Sequence, residues 1–173
     1  MPIIIDIGAF KGQVVKRYLD LGYEVHAFEP NPNMEQYLEI FEDEATINYT
    51  AAWNEDGKAN LHLMANPEPG EDGVSLIKEK INVGDRTIEV QTTNIGRYLR
   101  DLDEDIDILK INAEGAEYVI IESILKEFDP SRIKNWLVED HQNYINSEKW
   151  TEHKNNILEK LSILGIEIKP WKL

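Results

Sequence analysis

The chain has 173 residues, and its 18 Lys and Arg against 33 Asp and Glu give a formal net charge of −15. This charge argues against a nucleic-acid partner, because such affinity comes mostly from basic side chains that neutralise phosphates. The absence of cysteine excludes disulfides, thiolate catalysis and Cys-ligated metal sites. With no apolar run near the ~20 residues of a membrane helix and no secretory signal at the start, we expect one cytoplasmic domain over residues 1–173 and no membrane partner.

The first part of the chain alternates between strand-like and helix-like patterns. A β-branched run at 3–7 is typical of a strand buried on both faces, and apolar residues then recur at helical spacing. Strands are predicted at 3–7, 23–28 and 46–53, with helices between them over 14–19 and 34–41. This order predicts parallel strands that are joined by right-handed crossovers.

The rest of the chain continues this alternation after a less regular middle that contains a polar loop at 66–73. The predicted elements are strands at 58–64, 86–92, 106–111, 136–139 and 166–168 and helices over 95–102, 119–128 and 150–164. The fold class that we predict is therefore α/β, a doubly wound and mostly parallel sheet with helices on both faces. Ligands on such sheets bind beyond the carboxyl ends of the strands.

The turn after the first strand indicates which ligand binds there. A dinucleotide site has the pattern G-x-G-x-x-G, but this chain has Asp6 in the first glycine position, Gly8 in the second and Lys11 in the third. A carboxylate repels a diphosphate and attracts an ammonium group. The turn therefore favours a ligand with a cationic amine over NAD, although an ordinary strand-to-helix turn would have the same residues.

A second acid ends the next predicted strand. Glu29 lies twenty-one residues after Gly8, where an acid can accept hydrogen bonds from both hydroxyls of a ribose. Considered without the Asp6 turn, Glu29 is interpreted as a solvated or helix-capping acid. Together with the Asp6 turn, it predicts a site for a positively charged nucleoside.

Three segments in this order resemble the FkbM family of S-adenosylmethionine-dependent methyltransferases. They are IIIDIGAFKG at 3–12, FEPNP at 28–32 and LKINAEGAE at 109–117. The resemblance implies the class I methyltransferase fold, with a mostly parallel seven-stranded sheet. It also implies S-adenosyl-L-methionine as the methyl donor and a hydroxyl on a small molecule or carbohydrate as the acceptor.

The resemblance also implies which residues hold the cofactor. Those at the strand ends would contact its methionine, ribose and adenine parts in turn. The methionine end is assigned to Asp6, Gly8 and Gly12, the ribose to Glu29, and the adenine to the segment of Ala52, Trp53 and Asn54. Further cofactor contacts are expected from Ala9, Pro30, Asn31 and Asn112, and Asn112 is also a candidate catalytic residue.

One position departs from the family pattern. The family usually has Asp-x-Glu-Gly after Leu-Lys-Ile, and this chain has Asn112, which lacks the charge of an Asp. An alcohol acceptor needs a base to remove its proton. Our first candidate is Glu114 and our second is His141, which titrates nearest neutral pH; Glu117 is read as a helix N-terminal acid. We expect no metal, although Glu114, Glu139 and His141 together are a weaker alternative site for a divalent cation.

The acceptor itself is not specified by the sequence. Its recognition is expected from the 66–84 segment, the 140–150 segment or a partner subunit, which includes a second copy of the chain. Two other functions stay open: a module that binds the cofactor without catalysis, which Asn112 motivates, and an NAD-dependent oxidoreductase.

Overall fold

The computed structural model describes residues 1–66 and 73–171. The predicted loop at 66–73 lies mostly outside these residues. In chain order, the elements are β1 (Ile3–Ile7), α1 (Gln13–Asp20), β2 (Glu24–Phe28), α2 (Glu35–Leu38), β3 (Thr46–Asn48), β4 (Ala51–Trp53), β5 (Gly57–Met64), β6 (Val83–Asn94), α3 (Ile95–Leu102), β7 (Ile108–Ile111), α4 (Glu117–Glu127), β8 (Trp136–Val138), α5 (Glu148–Ile163) and β9 (Ile168–Pro170).

Six strands form the main sheet, in the order β3-β2-β1-β7-β8-β9. Every neighbouring pair is parallel, which confirms the predicted α/β class and the parallel crossovers. The resemblance implied seven strands. Among the described residues the sheet has six, and β4, β5 and β6 pair with one another in a second sheet.

The prediction of one strand over 46–53 was wrong. The chain leaves the main sheet after β3 and enters the second sheet at β4, whose residues pair with the end of β6. Residues 49 and 50 connect the two sheets. The Thr50 hydroxyl is hydrogen-bonded to the Thr93 hydroxyl of β6 at 2.7 Å. The apolar pattern is continuous across the passage because both short strands are partly buried.

Helices cover both faces of the main sheet, as predicted. Side chains of a strand alternate between faces, so Ile5 of β1 belongs to the core cluster under α3, α4 and α5. Ile4 belongs to the cluster under α1 and α2 on the other face. The predicted helix over 34–41 is realised only as α2, between short 3-10 turns at Pro32–Met34 and Glu39–Phe41.

The order of the strands places a ligand-binding edge at the centre of the sheet. The chain runs from β1 outward to β2 and β3 on one side, and later returns to add β7 on the other side of β1. The carboxyl ends of β1, β2 and β7 therefore meet at a point where the strand order reverses, which is where α/β proteins bind ligands. Within 1–66 and 73–171, no helix has the length and apolar character needed to cross a membrane.

Candidate functional site

A cavity of about 280 Å³ lies at the carboxyl ends of β1, β2 and β7. Eight of the residues that the sequence predicted for cofactor or catalysis line it. They are Gly8, Ala9, Glu29, Pro30, Asn31, Ala52, Asn112 and Glu114. The segment 73–76, before β6, closes one side.

Gly8 allows the ends of β1 and β7 to come together beside the cavity. It has φ of +79°, and a Cβ at this position would lie 1.9 Å from the carbonyl oxygen of Asn112. Its N–H donates to Phe28 O at 2.9 Å, and Asn112 N–H donates to Ile7 O at 3.0 Å. The turn is thus held by the backbones of both neighbouring strands, and a side chain does not fit.

Replacing Gly8 with Ala is expected to lower the free energy of unfolding by more than about 4 kcal/mol, since the new methyl group meets backbone. Gly22→Ala is the matched control, because Gly22 has φ of +78° but open space around it. There the left-handed backbone alone costs about 1–2 kcal/mol. Urea unfolding of both variants measures the difference, and equal losses would contradict a requirement for close approach at Gly8.

Asp6 is fully buried and does not line the cavity. In the sheet register it lies directly opposite Lys110 of β7, and Lys110 Nζ is 2.8 Å from Asp6 Oδ1. The same ammonium donates to Gly8 O at 2.7 Å and to Ile7 O at 3.2 Å. Asp6 therefore has a counter-ion within the protein, and Lys110, which lines the cavity, ties this pair to the Gly8 turn.

Glu29 lies at the cavity wall with both carboxylate oxygens oriented by backbone. Oε2 accepts from Phe10 N–H and Oε1 from Asn31 N–H, each at 2.9 Å. Burial raises the pKa of the Glu29 carboxyl, and these two hydrogen bonds together with nearby Lys110 offset only part of the rise. Each oxygen retains a further lone pair for a ligand hydroxyl.

Like Asp6, Gly12 and Trp53 were predicted to contact the cofactor and lie outside the cavity lining. Gly12 forms the N-cap of α1 with φ of +79°, and a Cβ there would lie 2.6 Å from the Phe41 ring. Trp53 packs against the core cluster under α3 to α5. Beside β4 the cavity is lined by the predicted Ala52 together with Ala51 and Leu61, which form a small, apolar surface.

Asn112 is linked to another strand end. Its Nδ2 donates to Glu139 Oε2 at 2.8 Å, and its Oδ1 is buried without a hydrogen-bond partner among the described residues. An ionised Asp at 112 would face the Glu139 carboxylate without a proton to donate. The amide therefore suits this arrangement, and it leaves one buried acceptor at the cavity wall.

Glu114 is paired with a lysine that our sequence analysis missed. Lys80 is buried, and its ammonium forms an ion pair with Glu114 Oε2 and donates to Gly73 O at 3.2 Å. The Ser75 hydroxyl donates to the Glu114 backbone carbonyl at 2.7 Å. Lys80 thus balances the charge of Glu114 and connects it to the segment that closes the cavity.

His141 is held by Glu117, which is fully buried at the start of α4. Glu117 Oε1 lies 2.9 Å from His141 Nδ1 and also accepts from Ala113 N–H at 3.0 Å. The other ring nitrogen, Nε2, is 3.6 Å from Glu114 Oε1 and 3.9 Å from Glu139 Oε1. Burial lowers the pKa of His141, but the hydrogen bond and charge of Glu117 and the charges of Glu114 and Glu139 outweigh it, so the net pKa is raised.

The structure therefore brings the predicted catalytic residues into one cluster at the end of the cavity near Glu114. Glu117, which the sequence assigned to a helix start, accepts hydrogen bonds from that turn and from His141. Across 1–66 and 73–171, no group of three His, Asp or Glu side chains is arranged to hold a metal ion, so the weaker metal alternative has no support in the geometry.

A doubly wound parallel sheet with a cavity at its switch point defines a ligand-binding α/β protein. Comparison with known proteins makes the class specific: the family model described as the methyltransferase FkbM domain matches residues 6–165. The chain belongs to the FkbM methyltransferase family, as the motifs at 3–12, 28–32 and 109–117 predicted. No curated protein and no solved structure matched the chain.

Proposed function

We propose that the protein transfers a methyl group from S-adenosyl-L-methionine to a hydroxyl of a small molecule or carbohydrate. The observation that carries the proposal is one cavity that is lined both by the oriented Glu29 carboxylate and by Glu114. His141 lies next to Glu114 and is oriented by Glu117. The cavity thus has a binding group in its wall, and the proton acceptor lies just outside its lining, beside Glu114.

The residues present fit the proposed cofactor. Glu29 can accept both ribose hydroxyls, while Ala51 and Ala52 leave room for a flat base. Asn112 Oδ1, which has no hydrogen-bond partner within residues 1–66 and 73–171, can accept a hydrogen bond from an ammonium group. When bound, S-adenosylmethionine supplies an already activated methyl group, so the protein's task is mainly alignment, which is worth up to ~7–11 kcal/mol.

His141 is the base that the geometry favours. Because Glu117 accepts the hydrogen bond from Nδ1, the neutral ring carries its proton there and leaves Nε2 free to take one from the acceptor hydroxyl. Glu114, our first candidate from sequence, is instead paired with the Lys80 ammonium. In this proposal Glu114, whose charge the Lys80 ammonium balances, positions the acceptor.

A module that binds the cofactor without catalysis is the alternative, and Asn112 motivates it. The His141–Glu117 pair argues for chemistry, because a binding module needs no oriented base. An oxidoreductase is disfavoured by the family to which the chain belongs. Release of S-adenosylhomocysteine across an acceptor panel separates an enzyme from a module.

Replacing Glu29 with Gln is expected to weaken binding of S-adenosylhomocysteine by about ten- to a hundredfold, since hydrogen bonds to a charged group contribute ~1.5–3 kcal/mol. The amide would also place a donor against one of the two backbone N–H groups that Glu29 now accepts. Calorimetric titration measures the change. Glu35→Gln, an exposed acid on α2, is the control. No binding to the unmodified protein, or equal affinity in both variants, would contradict the proposal.

A further inference from the structure

A second depression lies beside the catalytic cluster. Its volume is about 520 Å³, and it is formed by Ile81, by residues of the 142–146 segment and by α5. Ile145, which lines it, also packs against the turn after Glu114: its Cδ1 lies 2.9 Å from where a Cβ on Gly115 would be. Gln142, another lining residue, follows His141 directly in the chain. The depression is therefore adjacent to the segments that carry the cluster.

The polar side chains of the depression are almost all uncharged. Besides the Thr151 hydroxyl they are carboxamides, namely Gln142, Asn143, Asn146 and Asn155. A carboxamide both donates and accepts hydrogen bonds, as a hydroxyl does. Lys154 is the one charged residue in the described lining, and its ammonium is paired with Asp140. The depression thus has no free charge with which to select an ionic ligand.

One of these amides is buried without a partner. Gln142 is 7% exposed, and its Nε2 has no hydrogen-bond partner among the described residues. A buried donor that is left unpaired is unfavourable. An oxygen of a ligand in the depression would satisfy it.

The rim between the depression and the cluster is apolar and exposed. Ile81 and Tyr144 are 65% and 50% exposed, and Ile81 N–H donates to Tyr144 O at 2.8 Å. The adjacent residues Lys80 and Ile145 form an antiparallel bridge, so the two segments are held together. The Tyr144 ring lies 6.1 Å from the His141 ring. An aromatic and an aliphatic side chain therefore present flat apolar surface beside the base.

We propose that the acceptor is an uncharged saccharide or glycoside that spans this rim. Its reacting hydroxyl reaches His141, one ring packs on Tyr144 and Ile81, and further hydroxyls bind the amides around Gln142. This inference rests on the proposed function and narrows the acceptor to a neutral, polyhydroxylated ring compound. It leaves anionic acceptors disfavoured, because the cluster already contains the carboxylates of Glu114, Glu117 and Glu139 against Lys80 and His141.

Saturation-transfer NMR on the full chain tests the proposal without turnover. The probes are methyl glucoside, methyl galactoside, maltose and cellobiose, with methyl glucuronide as the charged counterpart. We expect transfer to the ring protons of at least one neutral saccharide and at least threefold less to the glucuronide. Gln142→Met and Tyr144→Ala should each reduce the neutral signal at least threefold. Gln91→Met, a matched change of an exposed glutamine on β6, should leave it unchanged.

Transfer to none of the neutral saccharides, a stronger signal from the glucuronide, or signals that Gln142→Met and Tyr144→Ala leave unaltered would each overturn the inference. The same samples are titrated with S-adenosylhomocysteine. Binding of that nucleoside without saccharide contact overturns only the acceptor assignment. Saccharide contact without nucleoside binding overturns the proposed function and leaves the saccharide site standing.

Discussion

Replacing His141 with Asn is expected to lower the rate of methyl transfer by about 10²–10⁴-fold, which is the usual contribution of a general base. The affinity for S-adenosylhomocysteine should not change, since His141 does not line the cavity that holds Glu29. His153→Asn is the matched control, because His153 also binds a carboxylate, Glu122 at 2.9 Å, but lies on α5. A rate that falls equally in both variants would contradict the role of His141.

The pH dependence of the methyl-transfer rate tests the same role of His141. The three facing carboxylates of Glu114, Glu117 and Glu139 raise the pKa of His141 against the effect of burial. The base is active when neutral, so the rate should rise with pH through a pKa above the ordinary ~6.5. Glu117→Gln removes the nearest charge and should lower that pKa, which moves the acidic limb to lower pH. NMR titration of the His141 ring measures the same shift without an acceptor.

The ionisation of His141 should also affect the free energy of unfolding, but with a pH trend opposite to that of the rate. Because the folded pKa of His141 is raised, its protonated form contributes stability below the unfolded value of ~6.5. That contribution is lost as the pH rises through the folded pKa. The His141–Glu117 pair therefore stabilises the fold at the pH values where His141 is protonated and cannot act as a base.

Replacing Lys110 with Met is expected to cost about 3–5 kcal/mol of folding free energy, because a buried carboxylate then loses its counter-ion. Asp6 is fully buried and Lys110 is 2% exposed, so water cannot replace the ammonium. The double variant Asp6→Asn, Lys110→Met should recover much of this loss, since no uncompensated charge remains. Urea unfolding of the single and double variants measures the coupling.

Lys16→Met is the matched control for Lys110→Met. Lys16 pairs with Asp20 at the same 2.8 Å, but both side chains are 64% exposed, and such pairs contribute at most about 1 kcal/mol. Equal losses in the two lysine variants, or no recovery in the double variant, would show that Asp6 does not depend on Lys110.

The same variants decide how Asp6 serves a cofactor. If Asp6 acts through Lys110 and the Gly8 turn, the double variant should regain affinity for S-adenosylhomocysteine along with stability. If Asp6 contacts the ligand directly, stability should return without affinity. From the sequence we expected a free carboxylate at this turn, but Lys110 already balances the charge of Asp6 within the sheet.

The sequence by itself determined local features, such as single strands and turns, and the family, which its motifs indicate. A β-branched run was enough for β1, and the glycine pattern after it was enough for the turn at Gly8. The position of Glu29 at a strand end placed it at the ligand-binding edge, and three motifs sufficed for the family. Lys110 was also recognisable as a lone lysine in the segment 106–111, but the sequence did not indicate that it pairs with Asp6.

Only the tertiary structure decided the partners of these residues. Asp6 meets Lys110 because the strands β1 and β7, about a hundred residues apart, adopt one register. Lys80 reaches Glu114, 34 residues away in the chain, and β4 leaves the main sheet to pair with β6. Both contacts are also long-range, although they span fewer residues. Periodicity along a chain specifies which face a side chain occupies, whereas pairing depends on the register of distant strands, and that register is set by the packing of the whole core.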